Sequence, residues 1–516
     1  MENCVTTVPP PQAVPPLVLA LDLGTSSVRA LVFDARARAL GGLEARRPLT
    51  VPMSADGGAE TDPDMVLDLL FACLDELLPK LGTLSGNLAA VGGCSLVGNL
   101  LGLDAAGNPL FPMSTYADTR AVPDADRLRE ILDPEAVHQR TGAFLHPSFH
   151  AAQLNMRART EPERFARATH WVSLGEYLEL RIFGAYAISH STASWSGLLD
   201  RKSLTWDPEM LAAAGISAAQ LSRPVSCAQG RRGLKPEFAL RWPALANIPW
   251  FPLVGDGATA NIGSDAATPA SVALTMGTSS ALRAVLPDPV ARVPQGLFCY
   301  RVDETRALVG GALNEGGNLL TWLKQTLRLS GPEEIAAALT QRTPAKHGLT
   351  ALPYLAGERS PGWTSHARGA LHGLGLNTSA HDLAAALVEA AAYGMARVYE
   401  RLKPLLAANH VVLAGGGALR AYPAVTQLLA DVLGRPITMA AADEVSAKGA
   451  AILALDALGI PREAPRRPAP SALIVAPDMA RHAIHKEAML RQDRLYGLLV
   501  TDDDAIRPCP EQGETT

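Results

Sequence analysis

A short pattern written twice carries the first chemical signal. Residues 20–32 read ALDLGTSSVRALV and residues 273–285 read ALTMGTSSALRAV, at half-chain spacing. In each copy an apolar run enters a Gly-Thr-Ser-Ser turn and then resumes, the pattern of strand, tight turn, strand. Thr25 and Ser26 in the first copy, and Gly277, Thr278 and Ser279 in the second, offer backbone N–H groups and hydroxyls with little bulk. An oligophosphate needs that combination of close approach and several donors. A single such turn reads as an ordinary hairpin. The repeat, joined by Gly415-Gly416-Gly417 between an apolar run and a helix, points to a nucleotide lying against backbone. Two carboxylates stand beside these turns: Asp22, just before the first, and Asp256, in VGDGATANIG at 254–263. Locally each also reads as a turn or N-cap residue. Transfer of a phosphoryl group to an alcohol asks for little more: a carboxylate to take the hydroxyl proton, a metal on oxygen ligands, and donors around the phosphates. Neither G-x-x-x-x-G-K-[ST] nor G-x-G-x-x-G occurs, which disfavours a P-loop ATPase and a Rossmann dehydrogenase.

The elements that must position these residues follow from hydrophobic spacing. Residues 17–33 predict a β-hairpin. Residues 63–81 carry apolar side chains at i, i+3, i+4 spacing behind Asp62 and a proline, which predicts an N-capped helix. Residues 89–94 read as a strand, 124–214 as helix-rich, and 234–251, with three Pro and two Trp, as a connector. Beyond the second hairpin, helices are expected over 317–327, 379–402, 422–433 and 479–499. A buried strand is expected at 411–414, and a Pro/Arg-rich linker after Pro461.

Composition narrows the classes. A chain of 516 residues, 48% hydrophobic, predicts two domains. A net charge of −5 offers no basic excess for a phosphate backbone, so nucleic acid is not the expected partner. The six cysteines form no C-x-x-C pair, which speaks against a disulfide framework or zinc cluster and fits a reducing cytoplasm. The twelve histidines show no zinc spacing. There is no secretory signal pattern and no 18-residue apolar stretch, so no membrane is expected.

Taken together, the motifs resemble those of the FGGY carbohydrate kinases over residues 17–500. They are DLGTSSVR (22–29), YADTR (116–120), GDGATANIG (255–263), MGTSSALR (276–283), GGALNEGGNLLTWL (310–323), GERSPGW (357–363) and AGGGALRAYP (414–423). The resemblance implies an α/β fold of two ribonuclease-H-like domains, the actin/Hsp70/sugar-kinase fold, with the active site in the cleft between them. It divides the chain into a disordered leader (1–16), an N-terminal domain binding sugar and carrying the first phosphate loop (17–254), a C-terminal ATP-binding domain (255–500) and a loose tail (501–516).

Carried over position by position, the resemblance implies these roles. Asp256 is the catalytic base, and Asp22 the carboxylate near magnesium. Thr25 and Ser26 form the first phosphate loop; Gly277, Thr278 and Ser279 form the second. Gly317 and Thr321 line the nucleotide site, Gly416 and Gly417 contact adenosine, and Asp118 and Arg120 contact substrate alongside Asp256. Trp195 is read as packing or as a flank of the sugar site. ATP and Mg2+ are the expected cosubstrate and cofactor, a small sugar or sugar acid the acceptor, and the cytoplasm the location, with a homodimer left open. Within the family the pattern resembles gluconate kinases. It departs from them in the first domain: Val97-Gly98-Asn99 stand where a Met-His pair is common, Gly175 where Lys precedes Glu-Tyr, and Arg29 where Lys is common. Gluconate is the favoured acceptor. The alternatives are xylulose or another ketose or polyol, and a non-catalytic sugar- or nucleotide-binding regulator on the same fold. An Hsp70-like chaperone would need a peptide-binding β-domain that the sequence lacks.

Overall fold

The computed structural model describes residues 7–340, 343–440, 444–461 and 473–501. Two sheets organise these residues. The first runs in the order Thr7–Val8, Ala39–Pro48, Ser27–Phe33, Leu17–Leu23, Leu88–Ser95, Val254–Gly255. The second runs Phe298–Arg301, Arg306–Leu313, Ser280–Pro287, Ser271–Met276, Val411–Gly415, Ile437–Met439, Ile474–Val475. Each repeats one plan. An antiparallel hairpin lies at the middle, and its first strand pairs in parallel with a strand from much later in the chain: Leu17–Leu23 with Leu88–Ser95, and Ser271–Met276 with Val411–Gly415. This is the two-domain α/β architecture expected from the duplicated motif.

Alternation along the first strand explains how the halves join. Leu19 and Leu21 face a core with Val66 and Leu70 of the helix Pro63–Lys80, whose N-cap Asp62 accepts from the Asp64 N–H at 3.0 Å. Val18 and Ala20, on the opposite face, join Ala258 and Ile262 together with Val285, Ala447 and Ala451 from the second half. This third core welds the two sheets through a pair of crossing helices, Asp256–Gly263 and Val445–Ala457. The helices approach so closely that a Cβ on Gly449 would lie 1.9 Å from the Thr259 carbonyl oxygen, and one on Gly263 1.9 Å from that of Val445. The second sheet has its own core, where Val272 and Leu274 meet Leu387 and Met395 of the helix Ala380–Leu402.

The two hairpins differ by one residue of register. Leu23 pairs with Val28 across the first turn, whereas Met276 pairs with Ser280 across the second. Identical Gly-Thr-Ser-Ser sequences therefore close differently. Arg29 sits opposite Asp22, while Arg283 sits opposite Ala273.

Two segments depart from expectation. The leader is ordered over residues 7–16: Thr7–Val8 pairs in parallel with Ala39 and Leu40, and Pro10–Gln12 forms a 3-10 turn. The first sheet has an open edge at Ala39–Pro48, which supplies the backbone partners for that strand. The connector 234–251 contains a helix at Pro236–Arg241 and a 3-10 turn at Pro243–Leu245, both begun by prolines at the position where helices tolerate them. The final helix is Met479–Tyr496. Most of the expected Pro/Arg linker and of the tail lies outside the described residues. Among the described residues no helix is long and apolar enough to cross a membrane.

Candidate active site

The carboxyl ends of the parallel strands bring the acidic residues together, as open α/β sheets do for their ligand sites. Asp22 is level with Cys94, and Cys94 with Val254, so Asp256 begins its helix one step beyond the same edge. Two adjoining cavities open there. One, of about 460 Å³, is lined by Gly98, Tyr116, Trp195, Asp256, Arg283 and Arg359, and extends to Gly415 and Gly416. The other, of about 910 Å³, is lined by Thr25, Ser26, Thr278 and Gly417. Arg29, Tyr116, Asp256, Gly277 and Ser279 face both, so the two form one cleft with Asp256 at the junction.

Both repeated turns reach this cleft. The Gly24 N–H donates to Ser27 O at 3.1 Å and the Gly277 N–H to Ser279 O at 2.9 Å, which leaves the tips, Thr25, Ser26, Gly277 and Thr278, exposed to it. Gly416 holds φ at +112°, and a Cβ there would lie 2.3 Å from Met276 O, so this loop lies directly on the strand that leads into the second turn. Gly317 and Thr321 line neither cavity. The Gly317 N–H donates to Gly277 O at 2.8 Å and the Asn318 N–H to Thr278 O at 3.0 Å, so the start of the helix Gly317–Thr326 braces the second turn from behind. The exposed Thr321 hydroxyl donates to Gly317 O at 2.9 Å.

Asp256 lies at the first position of its helix with its carboxyl group in the cleft. Burial pushes its pKa up to about 6; Arg283 opposes the shift, and the charge of Asp22 adds to it. Asp22 lies beneath the cleft, buried. It accepts from Cys94 Sγ at 3.4 Å, and Arg29 Nη1 stands 3.7 Å from its other oxygen. Arg29 in turn pairs with Glu444, from the second half of the chain. Burial raises the Asp22 pKa, with Arg29 only partly compensating. Asp22 lines neither cavity, but its neighbour Arg29 lines both, and a carboxylate there has the oxygen chemistry that magnesium takes as a ligand. Among the described residues no three His, Cys, Asp or Glu come together as an all-protein metal cage.

Asp118 and Arg120 line neither cavity. Asp118 is buried and accepts from Arg120 Nε at 3.0 Å; Arg120 also pairs with Glu60 at 2.7 Å, and Glu60 with Arg157. The YADTR stretch reaches the cleft through Tyr116 instead. Sequence reasoning gave no role to four residues of the cavity wall: Tyr116, Arg283, Arg359 and Glu444. The first three lie inside motifs already singled out, so the signal was present as residue type; what sequence withheld was which side chains turn inward. Trp195 does line the smaller cavity, its ring stacked on Tyr300 with centroids 3.9 Å apart.

A cleft between two like sheets, with a phosphate-type turn from each and a carboxyl group at the junction, is the arrangement of a phosphotransferase. The pattern of the FGGY family of carbohydrate kinases, N-terminal domain, matches residues 17–263, and that of the C-terminal domain matches residues 272–458. The chain is 26% identical to a gluconokinase of Bacillus subtilis (strain 168), over 86% of this chain and 88% of that one. It is 28% identical to a xylulose kinase of Escherichia coli (strain K12), over 85% and 89%. Its fold superposes on a ligand-bound xylulose kinase from Lactobacillus acidophilus with a TM-score of 0.85 at 24% identity, covering 94% of this chain and 99% of that one. This protein belongs to the FGGY family of carbohydrate kinases and is a carbohydrate kinase.

Proposed function

We propose that this kinase transfers the γ-phosphoryl group of ATP to a hydroxyl of a small sugar acid, gluconate being the favoured acceptor. The observation that carries the reading is the position of Asp256 at the junction between the phosphate turns and the smaller cavity, where burial pushes its pKa up to about 6. The match to the Bacillus gluconokinase supports the acceptor.

In this reading Asp256 is ionised at neutral pH and close enough to that range to accept a proton well. It takes the acceptor hydroxyl's proton as the oxygen bonds to the γ-phosphorus; the bond from that phosphorus to the β-bridging oxygen breaks, and ADP leaves with the electron pair. The N–H groups and hydroxyls of Thr25, Ser26, Thr278 and Ser279 hold the phosphate oxygens, Gly277 lets them approach the backbone closely, and Gly416 and Gly417 let the nucleoside lie against backbone. Asp22 would hold a magnesium ion, which when bound neutralises charge on the β- and γ-phosphates. ATP binds mainly to residues 255–500, and the acceptor lies between residues 17–254, which supply Tyr116 and Trp195, and the second half, which supplies Asp256 and Arg283.

A coupled assay of ADP formation across aldonates, ketoses, polyols and aldoses tests this. Gluconate should give the strongest response. A clear preference for xylulose or another neutral acceptor removes gluconate from the reading, and silence from every acceptor removes the kinase assignment with it.

A further inference from the structure

Two guanidinium groups in the smaller cavity lack the partners that buried arginines ordinarily have. Arg283 donates from Nη2 to Thr275 Oγ1 at 2.9 Å, and Arg359 from Nη2 to Leu313 O at 2.8 Å with its plane over the Tyr116 ring, 5.7 Å from the centroid. Both side chains line the cavity. Both Nε atoms are buried without a hydrogen-bond acceptor, and neither guanidinium is in an ion pair with a described residue. Burial lowers the pKa of each; for Arg283 the attraction of Asp256 opposes this and the charge of Arg359 adds to it. Two like charges held in a low-dielectric pocket with donors to spare cost stability unless an anion completes them. Arginine suits that task because its planar fork matches a carboxylate.

Two anions could enter here, the acceptor's own charged group and the transferred phosphoryl group. Position favours the first. Neither arginine lines the larger cavity, the one that Thr25, Ser26 and Thr278 line, whereas Gly277 and Ser279 of the second turn line both. Arg359 lines the smaller cavity instead, with its guanidinium over the Tyr116 ring, in a wall that Trp195 shares.

We propose that Arg359, assisted by Arg283, binds a carboxylate on the acceptor and is the residue that sets specificity for a sugar acid over a neutral sugar, with the acceptor's reacting hydroxyl turned toward Asp256. This rests on the kinase reading above and deepens it.

The test compares D-gluconate with D-glucitol, which carries a neutral CH2OH in place of the carboxylate on the same carbon chain, in the wild type, Arg359→Met and Arg359→Lys. Wild type should prefer gluconate. Arg359→Met should lose about 10- to 100-fold in kcat/KM for gluconate, the scale of one charge-assisted fork, mostly through KM. Its kcat/KM for glucitol and its KM for ATP should hold, so that the acid-to-neutral ratio collapses. Arg359→Lys should recover part of that ratio. The ratio is taken on one preparation and is insensitive to the fraction of correctly folded enzyme. A variant-free measurement stands beside it: gluconate, not glucitol, should raise the wild-type melting temperature. An equal loss on both acceptors, or a raised KM for ATP, would assign Arg359 to the phosphates and overturn the proposal. So would a wild type that uses or binds glucitol as well as gluconate. Absence of ADP formation with every acceptor would instead sink the kinase reading on which the proposal rests.

Discussion

At the scale of single residues, the cleft is built around one carboxyl group whose environment suits it to accept a proton near neutral pH. Burial is the largest influence on Asp256, and it acts against the charged form. In the proposed role Asp256 works deprotonated, so activity should fall as pH drops through its raised pKa rather than through the ordinary carboxylate range. The expected profile of kcat/KM declines about tenfold per unit below about pH 6, with the break near the value given by burial. A profile flat to pH 4.5, roughly where an unperturbed carboxylate begins to protonate, would show that Asp256 does not limit the reaction. Asp256→Asn keeps the shape and removes the basicity. It should lower kcat by about 10²–10⁴-fold while ADP binding, read by titration calorimetry, stays within error. Near-normal turnover would take Asp256 out of the mechanism. Its place at a strand end, flanked by glycines and followed by a small-residue helix, was legible in sequence; locally it read equally as a turn residue, and its role came only from the family resemblance. The surroundings of Asp118 and Arg120 were not legible. Their partner Glu60 lies far from them in the chain, and nothing local to a Tyr-Ala-Asp-Thr-Arg stretch states that its charges will pair inward while its tyrosine faces the cleft.

At the scale of elements, helices with strong periodicity and a capping residue stood out in sequence. Ser379 closes a capping box with Asp382 at the head of the helix Ala380–Leu402, and Asp62 caps the helix Pro63–Lys80. The duplicated hairpins were legible as hairpins, yet their one-residue difference in register was not. Identical turn sequences closed with four residues between the pair Leu23 and Val28 and with three between Met276 and Ser280, a choice that the turn residues alone do not state. The crossing of the two glycine-bearing helices was equally hidden. Gly449 sits in a plain Ala-rich run, and only the fold brings it against Thr259, three residues beyond Asp256. A methyl group added there meets backbone, which cannot rotate away. Gly449→Ala should cost about 1–3 kcal/mol, the usual range for overpacking, and displace the helix that carries Asp256. The expected signature is a melting temperature lowered by roughly 2–10 °C together with a fall in kcat. Gly375→Ala, where a Cβ meets nothing within 4 Å, should leave both unchanged. If Gly449→Ala melts and turns over like wild type, the close approach does not hold the helix in place.

At the scale of the whole molecule, the duplicated motif foretold two like halves, and the structure adds how they are coupled. Leu17, Leu19, Leu21 and Leu23 of the first hairpin strand belong to its own core and Val18 and Ala20 to the shared one, so the sheet that carries Thr25 and Ser26 packs directly on the helix that Asp256 begins. Alternation along Leu17–Leu23 could not reveal this from sequence, because that strand is buried on both faces and reads as a continuous apolar run. The Arg29–Glu444 pair is a second tie between the halves, placed at the cleft itself. A phosphate chain long enough to touch both exposed hairpin tips must bridge the two halves across the larger cavity. Ligands that bridge a cleft favour the closed arrangement by their differential affinity for it, and closure keeps water from competing with the acceptor hydroxyl. Small-angle X-ray scattering should therefore show a radius of gyration that falls when a non-hydrolysable ATP analogue and gluconate are added together, and falls less with either alone. The larger change should come with both because the acceptor contacts the walls of the smaller cavity while the phosphates span the hairpins. An unchanged radius with both bound, occupancy being checked by calorimetry, would mean that the cleft already stands closed and that substrate enters and leaves without movement of the halves.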